Sequence, residues 1–303
     1  MISLPSLRKE SVRMNIREYI KECDKAFEKN LNKVADSIAK GKERVICLSG
    51  PTCSGKTTAA SMLSKRLFLD GRKIHIISID DFYFDRDYLD VLSKSKGLDA
   101  IDYDSVDTID LDALKSFVSE VFMGEEIHCP VFDFKKGARS GYRTVRAEAD
   151  DLFIFEGIQA IYPQITELFL PIGYVSVYIS PRRGLSVADE VIEPNEIRLM
   201  RRLVRDYNFR GASPEFTLHM WESVRENEEK NIFPYVDSIK YFIDSTLDYE
   251  LSILRPYLEK ILSTVSENSK YFEKARAILM SMAGVEPISS ELIGEDSLYR
   301  EFV

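Results

Sequence analysis

RVICLSGPTCSGKTT, residues 44–58, decides the fold. Residues 44–49 are a short apolar run that reads as a buried strand. Residues 50–57 then match G-x-x-x-x-G-K-[ST]. From Thr57 to Leu69, Ala60, Leu63 and Leu67 recur at helical spacing, with Gly71 as a stop signal. Strand, glycine-bearing loop and helix in that order form the setting in which this pattern binds phosphate. Glycines let backbone N–H groups approach the oxygens, and the helix adds its positive N-terminal end. Gly50, Thr52, Cys53, Ser54, Gly55, Lys56, Thr57 and Thr58 are the expected nucleotide site. Lys56 is placed to reach the β- and γ-phosphates of ATP, and the Thr57 hydroxyl to hold Mg²⁺.

Working outward, Ile20, Phe27, Leu31, Val34 and Ile38 predict an amphipathic helix over residues 18–40. Residues 73–79 read as a second strand and 110–123 as a helix. Residues 126–132 read as an edge strand, because Pro130 lacks a ladder donor. Three more strands are expected over 152–156, 174–179 and 239–243. Alternation of strands and helices predicts an α/β fold, a parallel sheet of the P-loop NTPase type flanked by helices. Helices over 249–265 and 269–282 then extend it. The expected organisation is an N-terminal helical segment (1–43), a P-loop domain (44–247) and a C-terminal helical extension (248–303).

The 303 residues include 50 acidic and 41 basic side chains, for a net charge of −9. That balance argues against a nucleic-acid partner. Four cysteines without a C-x-x-C pair and three histidines argue against a zinc site and for a reducing compartment. The longest uncharged stretch, 168–180, is too short for a bilayer and holds Pro171 and Gly173. No membrane partner is expected, and the cytoplasm is the expected location.

Asp80 and Asp81 close the second strand, and Glu156 closes the strand at 152–156. Open α/β sheets bind ligands at that edge. Carboxylates there hold Mg²⁺ or take a proton from an attacking hydroxyl. Aspartate equally caps turns, so position alone leaves both readings of Asp80 and Asp81 open. Arg198, Arg201, Arg202 and Arg205 lie at spacings that share a helix face, with Arg210 just beyond. Beside a phosphate site they are expected to form a mobile lid, about residues 182–213, closing arginines over the polyphosphate.

These pieces, with Asp80-Asp-Phe-Tyr83, Pro130-Val-Phe-Asp-Phe134, Phe155-Glu-Gly157 and Arg198-Leu-Met-Arg-Arg-Leu-Val-Arg-Asp206 followed by Arg210-Gly211, resemble the uridine–cytidine kinase and phosphoribulokinase family. The resemblance implies ATP-dependent phosphoryl transfer, with Mg²⁺, to the 5′-hydroxyl of a nucleoside. By position it makes Asp80 the catalytic base and a metal ligand with Thr57 and Glu156. Lys56, Arg198 and Arg201 become catalytic phosphate contacts. Tyr83, Phe132, Arg139 and Arg210 become substrate residues, as does Asp104, one acid among Asp99, Asp102 and Asp107. It also implies a homo-oligomer. Ser297-Leu-Tyr-Arg-Glu-Phe302 resembles the end of longer bacterial uridine kinase-like proteins. One departure bears on the acceptor. Where nucleoside kinases of the family often place a histidine five residues after an aromatic, this chain has Phe132 and Gly137. Pantothenate or a sugar phosphate is therefore the alternative acceptor; Arg139, Arg143 and Arg146 are available for the latter. A nucleotide-binding regulator without catalysis is the further alternative.

Overall fold

A computed structural model describes residues 15–69, 71–98 and 101–303. Residues 1–14 of the expected N-terminal segment and Asp99 lie outside them. Five parallel strands carry the phosphate loop: β1 (Val45–Ser49), β2 (Ile74–Ser78), β5 (Leu152–Glu156), β6 (Tyr174–Ser180) and β9 (Tyr241–Asp244). Their order across the sheet is β2-β5-β1-β6-β9. Every residue of β1 and β5 is buried, which explains why both read as unbroken apolar runs. Residues 79–82 leave β2 as a 3-10 turn, so Asp80 and Asp81 start just beyond the strand end. In register, Leu48 and Ser78 both pair with Glu156. The loop after β1, the turn after β2 and the end of β5 therefore meet at one carboxyl edge.

The helices are α1 (Ile16–Ala39), α2 (Lys56–Phe68), α3 (Arg86–Ser95), α4 (Leu111–Phe122), α5 (Pro163–Thr166), α6 (Pro194–Arg210), α7 (Pro214–Asn231), α8 (Phe233–Val236), α9 (Glu250–Leu262) and α10 (Phe272–Ser281). Asn15 and Glu18 form a capping box that starts α1. Gly211, in the left-handed conformation, ends α6. One apolar core joins α1, α2, α6 and α9 over one face of the sheet, and residues near the C-terminus contribute Leu298, Tyr299 and Phe302 to it. The other core packs α4 and residues 160–169 against the opposite face.

Residues 126–132 do form an edge strand, but in a ribbon of their own and not in the five-stranded sheet. β3 (Glu126–Asp133) pairs with β4 (Ala138–Arg146) in a separate antiparallel ribbon, with Pro130 opposite Tyr142. A two-stranded ribbon has two outer edges, so the missing Pro130 donor disturbs no central ladder. A second small hairpin, β7 (Leu185–Val187) with β8 (Glu190–Ile192), precedes α6.

Candidate active site

The phosphate loop is shaped by close contacts that exclude side chains. A Cβ on Gly50 would lie 2.2 Å from the Ile179 carbonyl oxygen, so only glycine lets the chain leave β1 beside β6. Cys53 adopts φ 58°, a left-handed conformation that a non-glycine residue holds only under constraint. Helix α2 begins at Gly55 with no side-chain cap. Its first N–H groups face the loop, the arrangement that receives anions. The Lys56 ammonium folds back to donate to the carbonyls of Gly50 (2.9 Å) and Pro51 (3.2 Å). Ser54 Oγ is buried and has no hydrogen-bond partner among the described residues. That orphaned hydroxyl and the uncapped helix end suit a bound polyphosphate.

Acids gather beside it. Burial raises the Asp80 carboxyl above its ordinary range, against the pull of Lys56 and Arg210. Burial, then the charge of Asp80, pushes Glu156 up to about 7. Two carboxyls that resist ionisation mark negative charge short of a counter-charge. Their carboxylates, like the hydroxyl of exposed Thr57, are hard oxygen donors of the kind that suits Mg²⁺. Magnesium bound there would neutralise charge on the phosphate oxygens. Asp81 does something else: its carboxylate accepts from the Phe132 backbone N–H (3.1 Å) and from Arg143 (3.4 Å). It ties the ribbon to the sheet edge. Of the two aspartates, Asp80 is the one left facing Lys56.

An aromatic group lies next to Asp80. Tyr83 meets Tyr103 and Phe132 edge-on, each at 5.5 Å between centroids, and Phe134 at 6.3 Å. The Tyr83 hydroxyl donates to the Tyr103 carbonyl (2.9 Å), and Gln159 donates to the same oxygen (2.6 Å). The Tyr162 hydroxyl donates to the Asp104 carbonyl (2.9 Å). These bonds fix residues 103–104 beside Tyr83 and Tyr162. Burial, then the charges of Asp102 and Glu228, raises Asp104 to about 7, against the pull of Lys56. Asp80, Glu156 and Asp104 thus all sense Lys56.

The arginines divide into two groups. Arg198 and Arg201, expected to contact phosphate, are 2% and 0% exposed and turn inward in this conformation. Arg198 pairs with Glu228 through both terminal nitrogens, and its Nε donates to the Thr52 carbonyl (3.0 Å). Arg201 pairs with Glu250 (2.6 and 3.0 Å) and donates to the carbonyls of Cys53 (3.2 Å) and Ser245 (2.7 Å). Buried carboxylates draw each guanidinium inside, where it grips the outer side of the phosphate loop. In this conformation α6 is fastened to the loop. Arg202, Arg205 and Arg210 instead surround one carboxylate, Asp206, at 3.2, 2.8 and 3.6 Å. Three cations on one anion leave positive charge over. Arg210 is 59% exposed, and its charge is felt at Asp80. It is the arginine of the cluster best placed for a phosphate.

Arg139 was expected to touch substrate. It pairs with Asp110 (2.9 Å) and donates to the Phe82 carbonyl (3.2 Å), while its buried Nε has no hydrogen-bond partner among the described residues. At Gly137, a Cβ would lie 2.7 Å from the Arg86 guanidinium. Arg86 fills that space and donates to the Phe134 carbonyl (2.8 Å). Glu228, Glu250 and Gln159 escaped the sequence reading; none belongs to a local pattern.

The family described as the phosphoribulokinase / uridine kinase family matches residues 45–251. The chain belongs to that family. It is similar to uridine-cytidine kinase B of Dictyostelium discoideum, 28% identical over 249 residues, which cover 81% of this chain and 92% of the relative. It is similar to a uridine kinase of Lactobacillus johnsonii, at 26% identity over 73% of this chain and 96% of the relative. A uridine kinase of Clostridium novyi is 29% identical over 56% of this chain and 71% of its own length. This member of the family is an ATP-dependent phosphotransferase with a hydroxyl acceptor. Among its described residues no helix is long and apolar enough to cross a membrane.

Proposed function

We propose that the protein transfers the γ-phosphoryl group of ATP to the 5′-hydroxyl of a nucleoside. The observation that carries this reading is the aromatic group of Tyr83, Tyr103, Phe132 and Phe134 beside Asp80. Flat aromatic walls suit a nucleobase. The Asp104 carboxyl near Tyr83 suits ribose hydroxyls, which donate to it. In the reaction the acceptor O–H gives its proton to the Asp80 carboxylate. The acceptor oxygen bonds to the γ-phosphorus as the bond to the β-γ bridging oxygen breaks and ADP leaves. Lys56 and Arg210 offset charge on the phosphoryl oxygens. Thr57, Asp80 and Glu156 would hold Mg²⁺.

A sugar-phosphate acceptor is less well served. Arg139 and Arg143, two of the cations it would use, are already paired with Asp110 and Asp81. Arg146 lies at the opposite end of the ribbon, across from Glu126. The test is ATP consumption with Mg²⁺ against uridine, cytidine, thymidine, purine nucleosides, pantothenate and ribulose 5-phosphate, with products identified by mass. A nucleoside 5′-monophosphate is expected. Turnover confined to a non-nucleoside acceptor would overturn the proposal.

A further inference from the structure

Residues from far along the chain reach the outer side of the phosphate loop. Leu298–Glu301 forms a 3-10 turn that packs on α2. Leu298 presses on Gly55, so that a Cβ there would lie 2.5 Å from Leu298 Cδ1. The Thr58 hydroxyl donates to Glu301 (3.1 Å). The rings of Tyr299 and Phe302 lie 5.7 and 5.0 Å from the Arg201 guanidinium carbon, and that guanidinium holds the Cys53 carbonyl. Three contacts therefore converge on Cys53, Gly55 and Thr58. Two of these loop positions, Cys53 and Gly55, have positive φ. A strained Cys53 persists only where its surroundings over-determine it. Simple covering of apolar surface would need neither the carboxylate on Thr58 nor a cation seated against the edge-to-face pair of Tyr299 and Phe302.

We propose that residues 297–302 are a positioning element of the nucleotide site. Leu298 acts directly on Gly55, and Phe302 acts through Arg201 on Cys53, to fix the backbone that receives the phosphates. The inference rests on the kinase reading but on no particular acceptor.

The experiment uses the full chain and three variants: Leu298→Ala, Phe302→Leu and, as a packing control, Val285→Ala. Val285 is fully buried in the same core but makes none of these loop contacts. Each is measured for melting temperature, equilibrium binding of Mg·ADP, and KM for ATP against kcat. Misplaced binding groups carry large penalties, so Leu298→Ala and Phe302→Leu are expected to weaken ADP binding about tenfold and raise the ATP KM alike. Val285→Ala should lower the melting temperature without that change. Phe302→Leu keeps most of the buried volume and still tests the idea if Leu298→Ala does not fold. ADP affinity within about twofold of the parent in both loop variants, despite lowered melting temperatures, would overturn the proposal. So would tighter ADP binding, which would make the segment an obstruction. A parent chain that binds ADP but phosphorylates no nucleoside would count against the acceptor assignment alone.

Discussion

Arg201 and Glu250 face each other through two hydrogen bonds, Nε to Oε2 at 2.6 Å and Nη2 to Oε1 at 3.0 Å, with neither side chain exposed. The pair joins α6 to α9 and, through the Cys53 carbonyl, to the phosphate loop. Removing one charge of such a pair strands the other in a site without water. Glu250→Ala should therefore cost about 3–5 kcal/mol of folding stability, read from urea unfolding. Arg201→Lys should not restore what Arg201→Ala loses, because an ammonium cannot make the two-pronged contact with Glu250 while also reaching the Cys53 and Ser245 carbonyls. A loss below about 1 kcal/mol for Glu250→Ala would show that the pair is not structurally important.

Asp80 is the only carboxylate of its turn that is not tied to the ribbon. Asp80→Asn keeps the shape and removes the proton acceptor. Its kcat should fall about 10²–10⁴-fold, the usual contribution of a positioned base. ADP binding should survive, because the loop and Lys56 are untouched. Steady-state rates beside calorimetric ADP titrations check both halves; an unchanged kcat would remove Asp80 from the role of base.

Asp104, raised to about 7 by burial and the nearby charges of Asp102 and Glu228, changes charge near neutral pH. Below that value the carboxyl is mostly protonated and can accept fewer hydroxyl hydrogen bonds; above it the carboxylate is ready for ribose. KM for the nucleoside should therefore fall as pH rises from about 6 to 8. Asp104→Asn should show a higher KM with that pH dependence flattened. If the parent KM is flat across this range while kcat is not, Asp104 does not meet the acceptor.

The loop, its strand and its helix were legible because their signal is local: a fixed spacing between an apolar run and a helical one. The residues that complete the site are not local. Helical spacing placed Arg198 and Arg201 correctly on α6, but their direction is set by Glu228 and Glu250, which lie 30 and 49 residues further along the chain. Chain position left Asp80 and Asp81 open between a chemical and a turn-capping role, and the resemblance chose Asp80. The physical difference comes from the Phe132 N–H and Arg143, brought to Asp81 by the ribbon. Helix α7 was missed although it supplies Glu228, because Glu, Asn and Lys dilute the apolar spacing of Leu218, Trp221 and Val224. The aromatic group likewise draws on three separate stretches of chain, and no single window of sequence contains it.

Gly137 and Arg86 share one space, and that has an evolutionary consequence. A Cβ at 137 would lie 2.7 Å from the Arg86 guanidinium and 2.8 Å from Arg86 Cβ, and φ +68° strains any side chain there. A shorter residue at 86 keeps its Cβ and leaves the backbone strain in place. Relatives with a side chain at the position of Gly137 should therefore differ in the course of the backbone there, not merely in the residue at 86.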